Sequence, residues 1–268
     1  MKNNILKIAV LMLILNVFSF AHAQPLKPNV LLRKTEQSLK KIKTLTYHIT
    51  RSDKHFASKD TLKRSAFGTI KIMPKDEIGA YHLLYFKRDD NKFNQSKYDG
   101  TYSSFLYFNS DSLNVPKKIT ITNVLNDNYN SIKGTFVSNF LLQEYFRKNN
   151  DFKQYRSILA KLILKDITSE EDIYNGIPVY VLTVYGKDKP RENRINSSVE
   201  KYYIRKSDFF PIAQSFYGEF EGMKQTEFTE IEYLEINPEI PLDTFKIDPS
   251  IKEVKPKDYF EEIQKYNL

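Results

Sequence analysis

The chain has 268 residues, no cysteine and a formal charge of +8, with 18 tyrosines, 19 phenylalanines and only eight glycines. Without cysteine there is no disulfide framework, no thiolate metal site, no dithiol redox chemistry and no lipid attached at an N-terminal cysteine, so stability has to come from an apolar core. The basic residues are spread along the chain without a stripe or a recognition motif, which argues against nucleic acid as a partner.

Residues 1–23 have the three parts of a secretory signal peptide. Lys2 and Lys7 give the positive start, Ile8 to Leu15 the apolar run, and Ala21-His22-Ala23 a small-x-small cleavage site. The run falls short of the ~20 residues that a membrane-spanning helix needs. The expected product is an exported chain, periplasmic or secreted, forming a single domain over residues 24–268. β-rich folds often run to roughly 200–250 residues as one unit.

Residues 29–43 read as a helix, with Asn29 as N-cap and Leu32, Leu39 and Ile42 on one side. Arg33, Lys34, Lys40, Lys41 and Lys43 would then form a solvated face; weak attraction to anionic headgroups or acidic partners is the functional alternative. Residues 44–50 follow at once as a strand, with Leu45, Tyr47 and Ile49 on one face. Further strands are expected at 67–73, 79–88, 93–98, 101–108 and 118–125, with Asp99-Gly100 as a hairpin turn.

Residues 135–164 carry the one long helical pattern in mid-chain. Phe136, Val137, Phe140, Leu141 and Tyr145 recur at helical spacing. After the polar break at 148–151, Phe152, Tyr155, Ile158, Leu159, Leu162 and Ile163 do the same. Leu142 and Phe146 widen the first apolar face beyond one stripe, so the expectation is a helical pair laid over the sheet as cover or lid. Ordinary core packing is the plainer reading of the same pattern.

Strands resume at 164–173, 177–186, 199–206, 209–220 and 223–236. Asn175-Gly176, Ser207-Asp208 and Glu221-Gly222 are turns, and 187–198 is a polar loop. Phe228 and the pair Ile231 and Tyr233 fall on opposite parities, which predicts a bulge near Thr229–Glu230. Pro238, Pro241 and Pro249 punctuate an extended exit, and Pro256 opens a short helix over 256–266. The fold class expected is mainly β with α. It is a curved antiparallel sheet or half-open β-barrel, with an N-terminal helix and a central helical pair covering its concave face.

Three stretches resemble the LolA/LolB-like superfamily of lipoprotein carriers and lipid-binding proteins. They are the helix running into a strand, LRKTEQSLKKIKTLTYHI; the strand pair VEKYYIRKSDFFPIAQSF; and the close FTEIEYLEINPEIPLDTFKIDPS, where Asn237, Ile240, Pro241, Phe245 and Pro249 stand at the family's places. Related domains precede thioredoxin-like domains in exported proteins of Bacteroidetes-type bacteria. With no CxxC, this chain resembles a stand-alone version. The resemblance implies strands half-closed around plugging helices, with a space between sheet and helices that takes acyl chains.

Catalytic signatures are missing from the sequence. There is no HExxH, no GxSxG and no glycine-rich phosphate loop. His48, His55 and His82 are scattered, and the acidic runs Glu170-Glu171-Asp172 and Glu261-Glu262 read as solvated surface. The expected function is therefore non-catalytic, with no cofactor and no metal. It is that of a carrier or binding protein for a lipid, a lipoprotein acyl chain or another apolar ligand. Leu83, Tyr85, Phe105, Tyr107, Phe140, Leu141, Tyr145 and Phe216 are the expected cavity residues. Transient contact with a membrane or an envelope protein fits the same picture. The alternative is an envelope interaction or scaffold protein with a closed core, binding through an aromatic outer face of the sheet.

Overall fold

The computed structural model describes residues 26–56, 58–76, 79–88, 93–109, 112–113, 117–120, 167–186, 197–220 and 222–255. The expected signal peptide, the central helical pair over 135–164 and the closing helix over 256–266 lie outside these residues.

Helix α1 spans Pro28–Leu39. Proline at the first helical position suits the start, because its fixed φ matches the helix and its missing N–H was unpaired there anyway. The cap position is Lys27, which makes no side-chain cap bond. Asn29 is therefore inside the first turn and does not cap it, contrary to the sequence expectation. The chain turns at Lys40–Lys43 and enters β1 (Thr44–Lys54) directly.

The first half of the sheet continues with β2 (Leu62–Ile72), β3 (Ala80–Arg88), β4 (Phe93–Tyr98), β5 (Tyr102–Asn109), β6 (Ser112–Leu113) and β7 (Lys117–Thr120). The second half is β8 (Ile167–Tyr174), β9 (Ile177–Gly186), β10 (Ser197–Arg205), β11 (Pro211–Phe220) and β12 (Met223–Ile236). A short 3-10 turn, Leu242–Phe245, and β13 (Lys252–Glu253) end the described chain. The turn residues act as their chemistry demands. Asp99 Oδ1 accepts from the backbone N–H of Thr101 and of Tyr102 at 2.9 and 2.8 Å, while Asn175 and Gly176 both take positive φ.

The strands form one sheet in the order β13-β7-β5-β4-β3-β2-β1-β12-β11-β10-β9-β8, with β6 paired to β5. Two meanders are thus joined where β1 pairs with β12. Neighbours are antiparallel except β13 on β7, a parallel pair that sequence pattern did not suggest. Among the described strands the two ends of the order do not meet, so the sheet is curved and open. The bulge in β12 is real but displaced. Ile49↔Ile231, Thr50↔Glu230 and Arg51↔Thr229 run in unbroken register, and the slip falls between Thr46 and Tyr47, opposite Tyr233–Glu235.

Directly opposed residues of an antiparallel ladder share a face. One face carries α1: Leu31 and Leu32 pack on Leu182, Val184 and Ile204. On the other face the segment after β12 crosses β2 to β7. Ile240 and Phe245 pack there on Leu83 and Tyr81. Three lysines of that face hold the segment by its carbonyls: Lys71 to Ile240 O at 2.7 Å, Lys97 to Lys246 O at 2.9 Å and Lys118 to Pro249 O at 2.8 Å.

Asn237 ties the end of β12 to the α1–β1 junction. With φ at 61°, its Oδ1 accepts from Lys43 N–H at 2.6 Å and its Nδ2 donates to Lys41 O at 3.1 Å. Asparagine tolerates the left-handed region better than most residues, and its short amide reaches local backbone. That is a structural reason for the residue at this place in the close.

Candidate functional site

Register can be followed across the α1-bearing face. Val184, Glu200, Phe216, Glu227 and Asp53 stand in one row from β9 to β1. Beside it run Leu182, Tyr202, Gln214, Thr229 and Arg51. The apolar end of both rows lies under α1, with Tyr180, Tyr202 and Ile167 packed around Leu182, Val184 and Ile204. The other end is charged. A single face thus changes from aliphatic to ionic over five strands.

The charged end is well bonded around Arg51. Its Nε donates to Asp53 Oδ1 at 2.6 Å and its Nη2 to Glu227 Oε2 at 3.0 Å. Gln225 Nε2 donates to Glu227 Oε1 at 2.7 Å. Arg64 approaches Asp53 Oδ2 at 4.0 Å, an ion-pair distance without a hydrogen bond. Asp53 is 1% exposed, and its Oδ2 has no hydrogen-bond partner. A buried carboxylate is tolerated only where a cation and donors compensate for lost water.

Glu200 is different. Tyr202 donates its hydroxyl to Glu200 Oε2 at 2.8 Å, and among the described residues no cation pairs with this carboxylate. Burial pushes the Glu200 carboxyl above its usual range. The Tyr202 hydrogen bond opposes that shift, and the charge of Glu227 adds to it. Phe216 is half-buried between the two glutamates. Its ring lies along the strand, so a Cβ at Gly218 would stand 3.0 Å from it, with Phe56 next at 3.6 Å.

His82 lies on the same face in β3, with no exposure, between Ile70 and Tyr98 in register. Its Nε2 is 3.4 Å from Ser96 Oγ. Burial pushes its pKa down to about 3, so the ring is neutral. Among the described residues no three His, Asp or Glu side chains are grouped to hold a metal ion. No described helix is long and apolar enough to cross a membrane.

The expected cavity residues separate. Phe216 is on the α1-bearing face, in the charged row. Leu83 and Tyr85 point the other way: Leu83 is covered by Ile240 and Phe245, and Tyr85 is 46% exposed. Phe105 and Tyr107 stand in β5 opposite Ser96 and Asn94. Phe140, Leu141 and Tyr145 lie outside the described residues. Sequence reading missed Arg51, Asp53, Glu200 and Glu227, although a signal was there. Arg51 and Asp53 continue the parity of Leu45, Tyr47 and Ile49, which places two charges on a face otherwise apolar.

No family model and no characterised relative matches the chain. Several solved structures share its outline. Lipoprotein LppX of Mycobacterium tuberculosis aligns with a TM-score of 0.43 and 10% identity, over 80% of this chain and 99% of LppX. LprF of Mycobacterium bovis gives 0.42 and 6%, over 80% and 94%. A DUF1329 family protein of Desulfovibrio piger gives 0.35 and 14%, over 82% and 95%. At these values each is a general likeness of sheet and helix.

Proposed function

We propose that this chain is an exported, non-catalytic binding protein that takes an amphiphilic ligand, apolar in its body and polar at one end, on the α1-bearing face. The observation that carries the reading is the gradient on that face, from Leu182, Val184 and Ile204 under α1 to Glu200, Glu227, Arg51 and Asp53. An acyl chain laid along the apolar end gains about 0.8 kcal/mol per buried CH2. Polar groups at the far end fix orientation, as in ligand sites generally. Helix α1 is the cover that shifts. Its buried side mixes Leu31, Leu32 and Leu39 with the small polar Thr35 and Ser38, which add little apolar area to the contact. The resemblance to carriers of acyl chains, carried in part by residues 199–216, points the same way.

Native mass spectrometry of the protein purified from a bacterial periplasm, before and after organic extraction, tests this. A bound mass that extraction removes, with uptake of a fluorescent fatty acid afterwards, is the expected result. A clean apo mass with no uptake would sink it. A panel of ester, phosphate and glycoside substrates tests the non-catalytic part.

A second reading has its own observation. On the opposite face Phe67 is 53% exposed beside Tyr85, and His48 stacks on Phe67 at 4.4 Å between ring centroids. An exposed aromatic ledge of this kind suits contact with another protein. Binding to envelope proteins that F67S abolishes, in a chain with no lipid, would favour it.

A further inference from the structure

Resting on the amphiphile reading, the charge ledger of the polar end names the chemistry of the ligand's head. Three carboxylates stand in one row, Glu200, Glu227 and Asp53, and among the described side chains two guanidinium groups serve them, Arg51 and Arg64. Both guanidinium groups are taken on the Asp53 side. Arg51 bridges Asp53 and Glu227, and Arg64 faces Asp53. Glu227 is complete, with one oxygen on Gln225 and the other on Arg51. Glu200 has one oxygen on the Tyr202 hydroxyl and no ion pair among the described residues.

A half-buried carboxylate without a cation, next to a second carboxylate, is an unfavourable arrangement in an empty site. A bound cation would remove the cost. Phe216 adds a second argument, because it stands between Glu200 and Glu227, with Phe56 near the adjoining Gly218. Aromatic faces beside carboxylates are a recurrent way of holding ammonium groups. We propose that Glu200 receives a cationic nitrogen of the ligand, a primary amine or ammonium head, with its Oε1 as acceptor and the Phe216 ring alongside.

The same chain supplies a built-in control. On the opposite face Tyr217 donates to Glu219 at 2.8 Å, the same tyrosine–glutamate spacing, but Glu219 stands opposite Lys224 in register. Its neighbour across the ladder is a lysine, whereas the neighbours of Glu200 are Val184 and Phe216.

The test compares one alkyl chain with three heads: dodecylammonium, dodecyl sulfate and dodecyl maltoside, each titrated below its micelle concentration. The expected result is about tenfold tighter binding of the ammonium than of the maltoside, as one charge-assisted hydrogen bond provides. That preference disappears in Glu200→Gln and persists in Glu219→Gln. Equal binding of all three heads, tighter binding of the sulfate, or a preference that survives Glu200→Gln would overturn the inference and leave the amphiphile reading standing. No binding of any head by the delipidated protein would overturn both. Glu200→Gln is isosteric and removes a half-buried charge, so its folding, followed by circular dichroism, is expected to match the parent.

Discussion

On the α1-bearing face, charge is met by opposite charge: Arg51 lies between Asp53 and Glu227, while Glu200 has no cation partner among the described residues. On the opposite face, three lysine charges are met by dipoles: Lys71, Lys97 and Lys118 each donate to a carbonyl of the segment after β12. The second arrangement is modular. Each lysine fixes one carbonyl, and the loss of one leaves the others in place. The first is coupled, because Asp53 and Glu227 bind the same Arg51 guanidinium. A coupled cluster responds as a unit to the loss of one member, and a modular one responds site by site.

The largest effect should come from the fastened side, through its apolar anchor. Phe245 has no exposure and packs on Leu83 and Tyr81. Phe245→Ala is expected to cost about 4 kcal/mol, the usual range for a buried aromatic, measured by urea unfolding. A cost below about 1 kcal/mol would mean that the segment is held by its lysines alone. Next comes the coupled cluster. Asp53→Asn keeps the shape and removes the charge that faces Arg51, with an expected cost of about 3 kcal/mol. If Asp53→Asn proves neutral, the Arg51 charge does not depend on Asp53 and the cluster is less coupled than its geometry says.

Two groups on the α1-bearing face should respond to pH with opposite sign. His82 has its pKa pushed down to about 3 from an ordinary 6.5 by burial. The unfolded chain therefore binds a proton that the folded chain refuses, and stability falls as pH drops from 6.5 towards 3, by at most about 1.4 kcal/mol per pH unit. Glu200 is held above its ordinary 4.5, first by burial. Here the folded chain keeps the proton longer, so the contribution is complete below 4.5 and is lost as pH rises through the folded value. Val184 and Phe216 on the neighbouring strands carry no charge, so Glu227 is the charge that faces Glu200 from the next strand over. Urea unfolding across pH should show a steeper acid loss in Glu200→Gln and a flatter one in His82→Gln. Parallel curves for all three proteins would put the pH response elsewhere.

The turns and the proline-punctuated exit were legible in the sequence and the charged row was not, for a physical reason. Turns, strand starts and the proline-punctuated exit are local: Asp99-Gly100, Asn175-Gly176, Asn237 and Pro241 declare themselves within a few residues. The charged row is assembled from β10, β12 and β1, whose residues 200, 227 and 53 meet only through register. Parity along one strand shows that Arg51 shares a face with Ile49. It does not show that Glu227 comes opposite Asp53. The displaced bulge is the same lesson on a smaller scale. Parity required a slip in β12, but its place was set by pairing with β1. Leu83 and Phe216, grouped in the sequence reading, stand on opposite faces for the same reason, since two long strand meanders can be joined with either parity.

The smallest expected effect separates the two arrangements most cleanly. Lys118 is buried, lies 4.7 Å over the Tyr102 ring and donates to Pro249 O at 2.8 Å. Lys118→Met keeps the aliphatic stem over the ring and removes the donor, at an expected cost of about 1 kcal/mol. Lys71→Met should cost a similar amount, and because the two sites share no partner the double variant should cost their sum within about 0.5 kcal/mol. On the other face, Asp53→Asn with Glu227→Gln should depart from additivity, because both side chains bind the same guanidinium. Additive lysines with non-additive carboxylates are what a fastened segment and a coupled cluster require. Strong coupling between Lys71 and Lys118 would mean that the segment docks as one cooperative unit, and the contrast between the faces would then lie in their ligands and not in their energetics.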